Sequence, residues 1–83
     1  MILLKLKALA DENRLEIIKT LFSGKKTVGE ITKSIGRSQP NTSIALKQLL
    51  HAELIVHERK GKCSYYSLKN KEDIKKILEL MNK

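Results

Sequence analysis

Residues 38–51 read SQPNTSIALKQLLH, and this stretch predicts a helix with two chemically different faces. Ser38 suits the N-cap position because its hydroxyl can accept a hydrogen bond from a first-turn N–H. Pro40 falls inside that first turn, where a missing amide hydrogen costs nothing. At about 100° per residue, one face collects branched and apolar side chains, namely Thr42, Leu46, Leu49 and Leu50. The other face collects small, apolar and amide side chains, namely Asn41, Ile44, Ala45, Gln48 and His51.

The neutral, amide-rich face has the chemistry that reads base edges in a DNA groove. Asn and Gln match the donor and acceptor groups of adenine, Ser can pair with several bases, and Ile44 offers an apolar contact for a thymine methyl. A helix face that only had to be solvated would usually carry Glu and Lys. The competing interpretation is that this face covers a protein surface, since neutral polar faces serve that role as well.

Length, composition and charge set the class of the protein. Eighty-three residues predict a single domain over residues 1–83, because so short a chain cannot support two cores. Hydrophobic residues make up 41% and aromatic residues only 4%, which predicts an aliphatic core and a helix-rich architecture. The net charge of +8 favours polyanionic partners, with nucleic acid first among them. A Lys-rich surface without any polyanion to bind is the alternative.

Cysteine content and hydropathy indicate a soluble, cytoplasmic protein. Cys63 is the single cysteine, so an internal disulfide and a Cys-only zinc site are both excluded, and the chain is compatible with a reducing compartment. Lys5 and Lys7 interrupt the apolar run at the N-terminus, so no export signal is predicted. No other run approaches the roughly 18 apolar residues of a membrane span.

The residues before position 38 predict three helices. Residues 2–10 form a short helix whose apolar stripe is too rich for an exposed position, so it needs a partner surface. Asp11 caps a second helix that ends before Gly24, and residues 27–30, TVGE, are a capping box opening a third helix that ends at Gly36. The third helix, a tight turn and the helix 38–51 therefore have the arrangement of a helix-turn-helix.

After Glu53 the pattern changes to that of a β-hairpin, with strands at residues 54–59 and 63–68 and Gly61 at the turn. Three cations lie at its tip, namely Arg59, Lys60 and Lys62. Such cations can simply solubilise a structural hairpin. Immediately after a candidate recognition helix, however, a cationic hairpin is better placed to contact phosphates or a minor groove.

A last helix is predicted over about residues 70–82, with Asn70 at its start and an apolar stripe that includes Ile74 and Ile77. Together with the helix at about residues 2–10, it carries more apolar surface than one small domain is expected to cover. We therefore expect the two terminal helices to form a symmetric dimer interface. Packing of both helices within one chain is the simpler alternative.

Three segments resemble a known family. They are residues 7–18 (KALADENRLEII), residues 38–49 and residues 59–68 (RKGKCSYYSL), which together span most of the chain. They are similar to the ArsR/SmtB-type winged-helix repressors of bacteria and archaea. The resemblance implies a mostly α fold with a β-hairpin, a winged helix-turn-helix of order α-α-α-α-β-β-α. It also implies a homodimeric transcriptional regulator with the third and fourth helices as the helix-turn-helix and the hairpin as the wing.

The chain departs from the metal-sensing members of that family. Some of them carry Cys-Val-Cys where this chain has Thr27-Val28-Gly29, and others carry Asp-x-His ligands where residues 71–75 read KEDIK. Because thiolate and imidazole sites need several convergent donors, we expect no metal and no cofactor. His51 and His57 are interpreted as surface or phosphate-contacting residues, and Cys63 as a strand residue rather than a redox thiol.

Thr32 and Thr42 also depart from the family, because they occupy positions where small or branched apolar residues usually pack the third and fourth helices together. Each hydroxyl therefore needs a hydrogen-bond partner, such as a carbonyl one turn back along its own helix.

These observations predict a sequence-specific repressor that binds a pseudo-palindromic operator as a homodimer, with the helix 38–51 in the major groove and the wing 57–66 on the DNA backbone or minor groove. The candidate base-edge contacts are Gln39, Asn41, Ser43, Ile44 and Gln48. The candidate phosphate contacts of the helix are Arg37, Ser38 and Lys47. The candidate wing contacts are Arg59, Lys60 and Lys62.

The alternative is a winged-helix protein-interaction module of a transcription or nucleoprotein complex with only non-specific DNA affinity. An enzyme is not predicted, because the sequence has no Ser/His/Asp set, no carboxylate pair in an apolar pocket and no phosphate-binding Gly-rich loop.

Overall fold

The computed structural model describes residues 2–82, so Met1 and Lys83 of the predicted 1–83 domain lie outside the described residues. The described residues form five helices and three strands. In chain order these are α1 (Ile2–Leu9), α2 (Glu12–Leu21), β1 (Lys26–Thr27), α3 (Val28–Ile35), α4 (Gln39–His51), β2 (Ile55–Lys60), β3 (Cys63–Leu68) and α5 (Lys71–Met81). The fold is therefore mostly helical with a hairpin, which confirms the predicted winged helix-turn-helix.

Short polar side chains fix where four of the helices begin. The caps of α2, α3, α4 and α5 each accept a hydrogen bond from the backbone N–H three residues later; they are Asp11, Thr27, Ser38 and Asn70. At α3 the bond is reciprocal, because the Thr27 N–H donates to Glu30 Oε1 at 2.9 Å. Gly36 ends α3 with a φ of 68°, a left-handed conformation that glycine adopts without steric cost. The helix-turn-helix is thus bounded by local chemistry at both ends of α3.

The sheet contains a strand that the sequence did not predict. β2 and β3 pair as the expected antiparallel hairpin, from Ile55 opposite Leu68 to Lys60 opposite Cys63. No strand was predicted between the second and third helices, but Lys26 pairs with Tyr66 and gives the sheet the order β1-β3-β2. A two-residue strand has no periodicity of its own, so only its tertiary partner β3 reveals it.

The core is aliphatic, as the composition predicts. Among the described residues, the largest fully buried hydrophobic side chains are Leu9, Ile17, Ile18, Leu21, Ile31, Leu46, Leu49, Leu54 and Ile74. Phe22 and Tyr66 are only partly buried and pack against this core. Ala45 was predicted to face outward, and this was wrong: it is 5% exposed. The buried arc of α4 is wider than expected because α2, α3 and β2 all pack against this helix.

The two threonines between α3 and α4 differ from each other. Thr42 Oγ1 donates to the Ser38 carbonyl at 2.9 Å, one turn back, as predicted. Thr32 Oγ1 is buried and has no hydrogen-bond partner within residues 2–82, so the same prediction was wrong there. The hydroxyl at position 42 is therefore hydrogen-bonded, whereas, within the described residues, the hydroxyl at position 32 is not.

The terminal helices leave apolar side chains in solvent. Leu3 on α1 is 62% exposed and Leu80 on α5 is 63% exposed, and Ile2 and Met81 are exposed as well. No helix within residues 2–82 has the length and apolar character needed to cross a membrane.

Candidate nucleic-acid interface

The outward side of α4 carries most of the predicted base-reading side chains. Gln39, Asn41 and Lys47 are exposed, and Ile44 is 57% exposed although it is apolar. Ser43 is half-buried and lies toward the edge of this surface. On the opposite side Thr42 and three other residues are buried against the core. The core therefore fixes α4 so that its neutral polar side faces solvent.

The N-terminal end of α4 has an uncompensated positive helix dipole, and the cation Arg37 lies beside it. The Ser38 hydroxyl is used as the cap and accepts from the Asn41 N–H at 3.3 Å. α4 contains no acidic residue in its first turn, so the positive end of its dipole is not neutralised there. Arg37 Nη2 lies 4.0 Å from Glu16 Oε1, and both side chains are substantially exposed. Because exposed pairs of this kind contribute at most about 1 kcal/mol, Arg37 remains available to a phosphate.

Gln48 has a partner within the chain that the sequence did not indicate. Arg14 Nη1 donates to Gln48 Oε1 at 2.7 Å, so one acceptor of this amide is already occupied. The same guanidinium donates to the carbonyls of Ala8, at 2.7 Å, and Lys7, at 3.3 Å. Arg14 thus connects the C-terminal end of α1 to α4. Because the contact joins residues 34 positions apart, no local pattern could have identified it.

The cations of the wing lie in different environments. Lys60 Nζ is 3.9 Å from Glu58 Oε1, and Lys25 Nζ approaches the same oxygen at 3.8 Å. Arg59 follows Glu58 in β2 and therefore points to the other side of the strand, and Lys62 lies beyond the turn glycine. The acid therefore offsets part of the charge of Lys60 but is directed away from Arg59.

Aromatic rings support the base of the wing. The rings of His57 and Tyr66 stack with centroids 4.8 Å apart and an angle of 14° between their planes. Lys25 directly precedes β1, and its Nζ lies 5.3 Å from the centre of the Tyr65 ring on β3. The first contact joins the two strands of the hairpin, and the second joins β3 to the segment that precedes β1.

Two carboxylates have shifted pKa values, and neither belongs to the predicted DNA contacts. The pKa of Glu30 is lowered, mainly by its backbone hydrogen bond at Thr27 in the capping box. The pKa of Glu53 is lowered by the hydrogen bond and charge of Lys69, whose Nζ lies 3.0 Å from Glu53 Oε1. Both acids therefore stay ionised at neutral pH. Glu30 stabilises the start of α3, and Glu53 stabilises the loop after α4 through Lys69.

A metal centre is not evident in the part of the chain that the structure describes. Over residues 2–82, no group of three or more His, Cys, Asp or Glu side chains lies close enough to hold a metal ion. Cys63 is exposed at the start of β3. The expectation that no metal binds stays a prediction.

One side of α4 is buried and its other side is exposed and polar. A short helix and a tight turn precede α4, and a cationic hairpin follows it. This arrangement defines a winged helix-turn-helix DNA-binding protein. Residues 11–56 match the model of the bacterial regulatory proteins of the arsR family. The chain belongs to this family. It is a DNA-binding transcriptional regulator and not an enzyme.

Individual relatives agree with this assignment. The chain is 46% identical to the arsenical resistance operon repressor of Bacillus subtilis over 82% of its own length and 66% of that protein. It is 36% identical to the transcriptional repressor SdpR of the same organism over 93% of its own length and 89% of that protein. The solution structure of a homodimeric winged helix-turn-helix DNA-binding domain from Mycobacterium bovis, Mb0332, superposes with a TM-score of 0.80 at 27% identity, covering 90% of this chain and 69% of that one.

Proposed function

We propose that the protein is a sequence-specific repressor that binds a pseudo-palindromic operator as a homodimer. The observation that carries this proposal is the outward side of α4, where exposed amides and one exposed isoleucine stand on a helix whose other side is buried in the core. This combination suits insertion into a major groove, since α4 can enter without uncovering apolar core. The named repressors among the relatives support the direction of regulation.

Within this proposal the contacts divide into two kinds. Gln39, Asn41 and Ile44 address base edges, with Ser43 at the edge of the contact surface. Gln48 contributes its amide N–H groups and the second lone pair of its oxygen, because the first lone pair accepts from Arg14. The phosphate contacts are Arg37, Ser38, Lys47, Arg59, Lys60 and Lys62, which position the protein without reading sequence.

The dimer places two copies of α4 on one duplex. We assign the interface to α1 and α5, because their exposed side chains include Ile2, Leu3 and Leu80. Such apolar residues at the two ends of one chain suit an isologous contact, in which each patch meets its own copy. The operator then has two half-sites whose centres lie about one or two helical turns apart. As a regulator that acts on DNA, the protein would work in the cytoplasm and without a resident metal.

Selection of bound fragments from random DNA tests the specificity. We expect one dyad-symmetric sequence to emerge and to bind at least about 10³-fold more tightly than random DNA at the same salt concentration. Binding of all fragments within a few fold of each other would instead identify a protein-interaction module with general DNA affinity, and the repressor proposal would be abandoned.

Sedimentation analysis of Leu80→Glu tests the interface. A carboxylate in the proposed apolar contact should shift the protein to monomer at micromolar concentration. Val56→Glu is the matched control, because Val56 is also an exposed apolar residue, at 41%, but lies on β2 outside the terminal helices. Equal effects of the two substitutions on the dimer would place the interface elsewhere.

A further inference from the structure

A cavity of about 330 Å³ opens between α1 and the C-terminal end of α4. Its apolar lining comes from Leu4, Ala8 and Ala52, and two of these, Ala8 and Ala52, are almost fully buried. The volume lies at the lower end of the range of roughly 300–1,000 Å³ that small-molecule sites occupy. The cavity is therefore large enough for a compact organic ligand.

The charged groups that line this cavity all have one sign. Lys7, Arg14 and Lys47 contribute cations, and no carboxylate is among the lining residues that the structure describes. Asp11 is the acid that approaches the cluster, with Oδ2 at 4.0 Å from Arg14 Nη1, but this oxygen also accepts the Arg14 backbone N–H as the cap of α2. An apolar recess surrounded by cations complements a ligand with an apolar body and a negative end.

The Arg14 guanidinium is fixed by hydrogen bonds and still has N–H groups that can bind a ligand. Its side chain is 19% exposed and is fixed by hydrogen bonds to Ala8, Gln48 and Lys7. These use three of the five N–H groups of a guanidinium, so two remain. A planar, pre-oriented guanidinium suits a carboxylate, because the two groups can share parallel charge-assisted hydrogen bonds.

We propose that this cavity binds a small organic carboxylate with an apolar body. The carboxylate pairs with Arg14, assisted by the ammonium groups of Lys7 and Lys47, and the apolar body contacts Leu4 and the two buried alanines. The ligand thereby touches α4 through Lys47, a predicted phosphate contact, so its binding lowers the affinity for the operator. This regulatory consequence depends on the proposed function, whereas binding of the carboxylate itself does not.

The proposed dimer leaves this cavity accessible. At about 100° per residue, Leu4 lies roughly 160° around α1 from Ile2 and about 100° from Leu3. Ile2 lines a different recess, of about 280 Å³, together with Leu80 and other α5 residues. The α1–α5 surface assigned to the dimer and the cavity therefore lie on largely different sides of α1.

Titration of the intact homodimer with octanoate and 3-phenylpropanoate tests the binding in the absence of DNA. Calorimetry should give one carboxylate per chain, and NMR shift changes should centre on the Ala8, Arg14 and Ala52 amides. The matching uncharged amides, octanamide and 3-phenylpropanamide, should bind at least about tenfold more weakly. Equal binding of the amides, saturation by inorganic phosphate at the same concentrations, or shift changes centred elsewhere would overturn the site.

Lys7→Gln is the variant of choice, because Lys7 is exposed and its loss does not remove the bonds that Arg14 makes to backbone carbonyls. We expect its carboxylate affinity to fall by about three- to tenfold. Lys75→Gln is the control, since it makes the same charge change at an exposed position of α5 outside the cavity. Equal losses in both variants would mean that general charge, and not the cavity, attracts the ligand.

Operator binding with and without octanoate tests the regulatory step separately. Occupancy should weaken operator binding by about tenfold, and excess operator should weaken octanoate binding by the same factor, because coupling between two sites is reciprocal. If octanoate binds and the operator affinity is unchanged, the regulatory step is refuted while the site stands. If no specific operator exists at all, the proposed function fails and the carboxylate titration still decides the site.

Discussion

We expect the same substitution, threonine to valine, to have opposite effects on stability at positions 32 and 42. Replacing either threonine with valine exchanges a hydroxyl for a methyl of similar volume, and the two residues have similar helix propensities. Among residues 2–82, Thr32 Oγ1 is buried without a partner. Removing it relieves an unsatisfied group, and we expect a gain in stability of about 1 kcal/mol.

At position 42 the hydroxyl bonds to the Ser38 carbonyl at 2.9 Å. That carbonyl also accepts the Thr42 N–H at 3.0 Å, so it is not orphaned when the hydroxyl is lost. Thr42→Val should therefore cost only the net value of one hydrogen bond, about 1 kcal/mol. The two variants should differ by about 2 kcal/mol, which for a domain of this size separates their melting temperatures by roughly 8–16 °C.

Urea unfolding followed by circular dichroism at one fixed protein concentration measures both changes. The fixed concentration matters because the stability of a dimer depends on it. We expect the midpoint to rise for Thr32→Val and to fall for Thr42→Val at an unchanged slope. A fall in the midpoint for Thr32→Val would refute the argument that its hydroxyl is unsatisfied, and so would equal shifts for both variants.

Four further predictions concern DNA contacts and the acid Glu53. Gln39→Ala should cost about 1–3 kcal/mol on the selected operator and little on random DNA, as measured by fluorescence anisotropy. Arg59→Gln should weaken binding to operator and random DNA alike and more than Lys60→Gln does, because Lys60 is already partly offset by Glu58; a larger effect of Lys60→Gln would contradict this. Glu53 has a φ of 58°, so Glu53→Gly should be about 1 kcal/mol more stable than Glu53→Ala in thermal melts, and the reverse order would count against strain there. The pKa of Glu53 is lowered in the fold, so its contribution to stability is present above the ordinary value of 4.5 and is lost as pH falls through the folded pKa. Lys69→Met should therefore lower the stability at pH 7 and have little effect at pH 2. An equal effect at both pH values would exclude a contribution from this ion pair.

The elements that the sequence predicted correctly are those decided by local chemistry. Ser38 and Pro40 set the start of α4, the Thr27 and Glu30 pair sets the start of α3, and Gly61 sets the hairpin turn. Each of these signals acts within three or four residues, so it can be recognised without knowledge of the tertiary structure.

The features that the sequence did not reveal are those decided by packing between distant segments. Ala45 is buried because three elements pack around α4, and the contact between Arg14 and Gln48 joins two helices far apart in the chain. That Thr32 Oγ1 finds no hydrogen-bond partner within the described part of the chain likewise depends on which groups surround it. For the candidate site, the exposed positions on α4 followed from periodicity, whereas the occupied amide of Gln48 did not.

The pairing of β1 with β3 has a mechanical consequence. Thr27 is at once the cap of α3 and a sheet partner of Tyr65, so the hairpin and the helix-turn-helix share one backbone segment. The wing therefore cannot move independently of the helix-turn-helix, and we expect each protomer to bind the duplex as one rigid unit. Tolerance to a changed half-site spacing must then come from the joint between the two protomers or from bending of the DNA.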